Sequence, residues 1–190
     1  MIRPTSSVLK CVVFMLLPKS MKLEITTRSI LCLGTFVGLI SIATSATATA
    51  SVGAIQGRAS VIDGDTIEVQ GERIRLFGID APESAQTCLD QSGNAYRCGQ
   101  RAAFALSDKV GARAVSCQPT GKDRYGRIVA RCSLAGEDLQ AWMVRNGHAL
   151  AFLRYSKAYR LDEAEAKATK AGIWTGSFVA PWDWRRRPKS

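Results

Sequence analysis

The sequence predicts a small α+β domain beginning after residue 50. Between Ala59 and Ile79, short apolar runs alternate with the turns Asp63-Gly64-Asp65 and Gln70-Gly71-Glu72. Two further apolar runs, Ala114–Cys117 and Ile128–Leu134, flank a polar turn at Thr120–Gly126. Three other stretches carry apolar residues at helical rather than strand spacing.

In chain order, Ala59, Val61, Ile67, Val69, Ile74, Leu76 and Ile79 fall into runs short enough for a three-stranded antiparallel meander. Residues 84–98 are polar and carry Gly and Asn, so they read as a loop. From Gly99 to Val110 the positions Ala102, Ala103, Leu106 and Val110 predict a helix. The two strands around the polar turn follow. Leu139 to Asn146 predicts a short helix with Leu139, Met143 and Val144 on one face and Gly147 as its stop, and Leu161 to Ala171 another that ends at Gly172. Five strands and three helices result. The tail Phe178–Ser190 holds Trp182, Trp184 and Arg185-Arg186-Arg187. It reads as tryptophans packed on the domain with a solvated basic end, or as an arm that contacts phosphate.

The first fifty residues differ in composition. Lys22 and Arg28 precede the uncharged run Ile30–Ala43, and small residues follow to Ala48-Thr49-Ala50. Basic, then apolar, then Ala-x-Ala is the order of a secretory signal peptide, cleaved after Ala50. The uncharged run is short of the ~20 residues that span a bilayer. Ser29-Ile30-Leu31 lacks the small residue that precedes a lipidated Cys32. A second apolar run, Val12–Leu17, lies ahead of Met21-Lys22, so the start is either Met21 or an unusually long leader. The expected organisation is a leader (1–50), one domain (51–176) and a Trp/Arg-rich tail (177–190). The product is exported to the periplasm or medium, a monomer with no stable membrane association once the leader is gone.

The chain of 190 residues carries a net charge of +10. The leader holds five Lys/Arg and one Glu, which leaves 21 basic against 15 acidic residues. A basic surface suits a polyanionic partner, although many exported proteins are basic without one. Cys11 and Cys32 leave with the leader, and Cys88, Cys98, Cys117 and Cys132 stay. An even number in an exported domain reads as disulfides, and four cysteines allow three pairings. The preferred pairing is Cys88–Cys98, across a short polar loop, with Cys117–Cys132, between neighbouring strands. Zinc is disfavoured, because no C-x-x-C occurs and His148 is the one histidine.

Four segments hold the chemistry: Val61-Ile62-Asp63-Gly64-Asp65-Thr66, Arg75-Leu76-Phe77-Gly78-Ile79-Asp80-Ala81-Pro82-Glu83, Asp123-Arg124-Tyr125-Gly126-Arg127 and Ala171-Gly172-Ile173-Trp174. Asp65 opens one strand and Asp80 follows the end of another, so a meander brings them together. Paired carboxylates suit a hard cation. Arg75 and Arg127 offer planar forks that fit a phosphate, which lysine does not. Pro82 stiffens the approach to Glu83. Taken singly, Asp-Gly-Asp is an ordinary tight turn and the arginines are ordinary surface residues.

In this order and spacing the segments resemble the staphylococcal nuclease family, over about Gly57 to Trp174. The resemblance implies an OB-type five-stranded Greek-key barrel with packed helices, and a calcium-dependent nuclease of broad specificity for DNA and RNA that leaves 3′-phosphates. Residue by residue, it implies Asp65 and Asp80 as Ca2+ ligands helped by the backbone carbonyl of Ala81, where the family commonly has threonine. It implies Glu83 as base or orienter of the attacking water, and Arg75 and Arg127 as contacts to the scissile phosphate. Tyr125 and Tyr155 match tyrosines near the bound nucleotide; a second tyrosine two places before Tyr155 is Leu153 here. Arg124 and Lys122 are further phosphate contacts or solvated turn residues, and Asp63 reads as a turn residue or an acid behind the ligands, not as a ligand itself. Arg75, Glu83 and Arg127 are all expected on a solvent-open cleft. The alternatives are an inactive nucleic-acid-binding module of the same fold and a disulfide-stabilised envelope protein.

Overall fold

The computed structural model describes residues 53–188, which lie in the compact unit Thr47–Ser190. The predicted leader, its cleavage after Ala50 and the alternative start at Met21 lie outside the described residues. Among the described residues no helix is long and apolar enough to cross a membrane.

Strands β1 (Ile55–Val61), β2 (Thr66–Val69) and β3 (Glu72–Leu76) form the meander, each antiparallel to the next. A two-residue strand β4 (Ile79–Asp80) follows. Residues 84–98 are not wholly loop: β5 (Cys88–Leu89) and β6 (Ala95–Tyr96) make a small hairpin. Two-residue strands are too short to show an alternation, so the sequence carries no signal for them. Helix α1 (Cys98–Val110) leads to β7 (Ala114–Lys122), which runs five residues beyond the apolar stretch that predicts it. The extension is polar and exposed, held by the ladder to β8 (Ile128–Leu134) past a register shift between Pro119 and Gly121. Next come β9 (Glu137–Asp138), α2 (Leu139–Arg145), β10 (Leu150–Ala151), α3 (Arg160–Thr169), a 3₁₀ turn at Gly172–Thr175 and α4 (Pro181–Trp184).

Five strands close on themselves. β3, β2, β1, β7 and β8 are neighbours in that order, and β3 also pairs with β8, parallel, through Ile74↔Ile128, Arg75↔Val129 and Leu76↔Ala130. The result is the OB-type barrel, with helices packed on it. Ile67, Val69, Ile74, Leu76, Val115 and Leu134 fill its interior with Leu106 and Val110 of α1 and Leu139 and Met143 of α2. Asp138 caps α2, its side chain accepting from Ala141 N at 2.9 Å.

Both preferred disulfides are present. Cys117 and Cys132 face each other on β7 and β8 with Cα atoms 4.0 Å apart, and Cys88–Cys98 ties the hairpin to the start of α1. A second apolar cluster joins that disulfide to Leu150 and Ile173, with Trp174, Phe178 and Trp182 packed against it. The tail therefore runs along the domain.

Candidate active site

The barrel gathers its charges at one end of β2 and β3. Asp65 leads into β2, and the turn before it is tied by Asp65 N donating to Asp63 Oδ1 at 2.9 Å, so Asp63 is a turn residue as expected. Arg75 lies opposite Thr66 in the β2–β3 ladder. Its guanidinium forks between two acids, Nη1 to Asp65 Oδ1 at 2.5 Å and Nη2 to Asp80 Oδ1 at 2.7 Å. The amide of Ala81 donates to Asp65 Oδ2 at 2.9 Å. Thus Asp65, Arg75, Asp80 and Ala81 form one knot.

Both carboxylates of the knot are buried. Burial pushes the Asp65 carboxyl up to about 7, against the pull of Arg75. Arg75 is itself largely covered, its side chain 21% exposed. The part that stays exposed lines the open cleft. Two buried acids flank Arg75, and they cannot be covered without covering their counter-charge too.

Glu83 sits differently, 41% exposed at its side chain. Its loop is tied by Gln86, whose Oε1 accepts from Glu83 N at 3.2 Å and whose backbone N donates to the Glu83 carbonyl at 2.7 Å. Gln86 is fully buried, and its Nε2 donates to Val179 O in the tail at 2.6 Å.

Arg127 projects from the β7–β8 turn, where Gly126 takes φ 80°. Asp123 shapes this turn, accepting from Tyr125 N, Arg127 N and Arg127 Nε at 2.9, 3.0 and 2.7 Å. The Tyr125 ring lies under the guanidiniums of Arg124 and Arg127, at 4.8 and 5.6 Å, and is 69% exposed. Tyr155, 60% exposed, meets Phe77 edge-on at 5.5 Å.

A cavity of about 680 Å³ unites Asp65, Arg75, Ala81, Glu83, Lys122, Arg124, Tyr125, Arg127 and Tyr155. Asp80 does not line it, lying fully buried beneath Arg75 and Arg185. His148, outside the cavity, packs on Trp142 at 5.5 Å.

Arg185 is the residue that the sequence reading missed. Its Nη2 meets Asp80 Oδ2 at 2.6 Å, while Nη1 meets Asp80 Oδ1 at 3.1 Å and Glu83 Oε1 at 2.6 Å. These bonds, that to Asp80 first, hold the guanidinium above the usual arginine pKa. Arg185 is 42% exposed at its side chain and lines the same cavity, but its guanidinium is bonded to carboxylates. The signal was present as Arg185-Arg186-Arg187 after two tryptophans, but a charge run ordinarily faces water. Arg186 does stay with the tail, paired to Asp183, and Arg187 lies over Trp184.

Donor chemistry decides what the site accepts. Among the described residues no three His, Cys, Asp or Glu side chains gather into a metal group. Asp65, Asp80 and Glu83 offer oxygen only, and one nitrogen of Arg185 touches both Asp80 and Glu83. Arg185 therefore bridges the two acids while Arg75 also holds Asp80, and their oxygens are donors of the kind a hard cation takes, with its remaining ligands from backbone oxygen and water.

Comparison with known proteins agrees with this geometry. The chain is 46% identical over 123 residues to the succinoglycan biosynthesis protein ExoI of Rhizobium meliloti, covering 63% of this chain and 64% of ExoI, just under two thirds of that protein. It is 34% identical over 142 residues to an uncharacterized endonuclease of Escherichia coli, covering 70% of this chain and 86% of the other. It is also 34% identical over 148 residues to the micrococcal nuclease of Shigella flexneri, covering 68% and 79%. The family described as staphylococcal nuclease homologue matches residues 73–176, a stretch that takes in Arg75, Asp80, Glu83 and Arg127 and begins just after Asp65. More than half of the chain is matched, and it belongs to the staphylococcal nuclease family.

Proposed function

We propose that the chain is an exported nuclease that hydrolyses phosphodiester bonds of DNA and RNA with Ca2+ as cofactor. One observation carries the reading: Arg75, Glu83 and Arg127 open into the same cavity as the exposed rings of Tyr125 and Tyr155, over the Asp65–Asp80 pair. Exposed aromatics beside arginines suit a nucleotide, since any base offers a face for stacking.

In this reading Asp65 and Asp80, with the Ala81 carbonyl, hold the cation. When bound, it supplies positive charge against the phosphate oxygens. Glu83 takes a proton from water as the water oxygen bonds to phosphorus. The bond from phosphorus to the 5′ oxygen breaks, and that oxygen takes up a proton from solvent, leaving a 3′-phosphate and a 5′-hydroxyl. Arg75 and Arg127 face the charge that grows on the non-bridging oxygens, where fixed donors act more strongly on the transition state than on the bound substrate. Tyr125 and Tyr155 orient the nucleotide, and Arg124 adds a phosphate contact. The two disulfides and the leader-like composition of residues 1–50 support export to an oxidising compartment.

The test is digestion of DNA and RNA by the exported chain with millimolar Ca2+ or with EDTA. Cleavage with Ca2+ that stops in EDTA, with 3′-phosphate ends, is expected. Full cleavage after exhaustive metal removal would overturn the cofactor assignment. Binding without cleavage under either condition would favour the inactive module.

A further inference from the structure

The tail reaches the catalytic acids along an anchored path. Ser177 bridges to Leu89, donating at 3.2 Å and accepting at 2.8 Å. Val179 O accepts from buried Gln86, the residue that also ties the Glu83 loop. Pro181 is buried at the start of α4, and Trp182 lies against Phe152 with ring centroids 5.7 Å apart. Arg185 follows one turn after Pro181, its amide donating to Pro181 O at 3.1 Å. At helical spacing that turn puts Arg185 on the same face of α4 as buried Pro181, its side chain 42% exposed, while Arg186 and Arg187 come round to the tail's own Asp183 and Trp184.

With Arg185 seated, both oxygens of Asp80 are engaged, Oδ1 by Arg75 and Arg185 and Oδ2 by Arg185, and Glu83 Oε1 is engaged by the same guanidinium. A divalent cation needs Asp80, and a water to be deprotonated needs Glu83. One side chain covers both. Asp80 already carries two guanidiniums, so a divalent cation on the same oxygens would add two more positive charges within a few ångströms of Arg185 and repel it.

We infer that Arg185 is a tethered cation that competes with the divalent metal for Asp80 and Glu83, so that the C-terminal strap must lift before the site is loaded. This rests on the nuclease reading above. The strap lowers metal affinity by the fraction of molecules in which it is seated. If it is seated in about nine molecules of ten, apparent Ca2+ affinity falls roughly tenfold. The anchors at Ser177, Val179 and Trp182 lie upstream of Arg185, so release needs movement only of the last turn.

The test is calorimetric titration of Ca2+ into the whole exported chain, the Arg185→Gln variant, a variant ending at Trp184, and Arg186→Gln as control. Arg185→Gln and the shortened chain should bind Ca2+ about tenfold more tightly than the parent, and Arg186→Gln as the parent does. The shortened chain keeps the comparison available should the glutamine variant misfold. Parent-like or weaker Ca2+ binding in both Arg185-lacking proteins, with the parent still binding, overturns the competition and leaves the nuclease reading standing. No Ca2+ binding by any of the four overturns both.

Discussion

Gly99 lies so near the backbone of Glu83 that a Cβ at position 99 would stand 1.7 Å from the Glu83 carbonyl oxygen. The first turn of α1 thereby sets how close the Glu83 loop comes to the barrel, with Gln86 holding the loop from its other side. A carbonyl on a tied loop cannot yield as a flexible side-chain tip can.

Gly99→Ala should therefore displace the loop rather than pack against it. Overpacking of this kind costs about 1–3 kcal/mol. Thermal unfolding and turnover should both drop, although residue 99 carries no functional group. A variant with parent-like melting and parent-like turnover would show that the contact does not position Glu83.

Arg75→Lys and Arg127→Lys should each lower turnover by roughly 10²–10³, the scale of one lost transition-state donor. Their stabilities should part. Arg75 bridges two buried acids, so its loss should cost about 1–3 kcal/mol of stability. Arg127 pairs with Asp123 on an exposed turn, so its replacement should stay within about 0.5 kcal/mol. Denaturant midpoints of the two variants decide it; equal midpoints would contradict Arg75 as the counter-charge of the knot.

Reduction of the two disulfides should lower the melting temperature without abolishing the fold. The bonds close loops of sequence separation 10 and 15, for which chain entropy gives at most about 3 kcal/mol each. Loss of Cys88–Cys98 should also loosen the tail, since Leu89 beside it bridges to Ser177. Proteolysis within residues 177–188 of a Cys88→Ser/Cys98→Ser variant should quicken relative to the parent, and unchanged proteolysis would separate the tail from this disulfide.

His148 should make stability depend on pH. Burial, then the charge of Arg101, hold its pKa below the ordinary 6.5. As pH falls through 6.5 the unfolded chain takes up this proton before the folded one does. Stability from this group is therefore complete above that pH and declines below it. His148→Gln should flatten the decline as pH falls below 6.5, read from denaturant midpoints. An identical slope in the variant would assign the pH dependence to other groups.

Much of the fold was legible because the pattern of one segment is enough to reveal its own faces. The run at Ile128–Leu134 is a strand over those residues, and the predicted helices at 99–110, 139–146 and 161–171 appear within two residues of their ends. The motifs likewise named residues that the barrel brings to one cavity, because each sits on or beside a β-segment whose pairing follows from its turns. What the sequence by itself could not determine was partnership across long separations. Parallel pairing of β3 with β8 closes the barrel, yet nothing in either strand's alternation names the other. Gly99 and Gln86 look like ordinary residues until the Glu83 loop lies on them. Arg185 meets Asp80 and Glu83 across separations of 105 and 102 residues. A run of arginines reads as solvated until the tertiary structure places carboxylates within its reach, because the buried Asp80 that needs a counter-charge lies 105 residues away and local sequence does not contain the pairing.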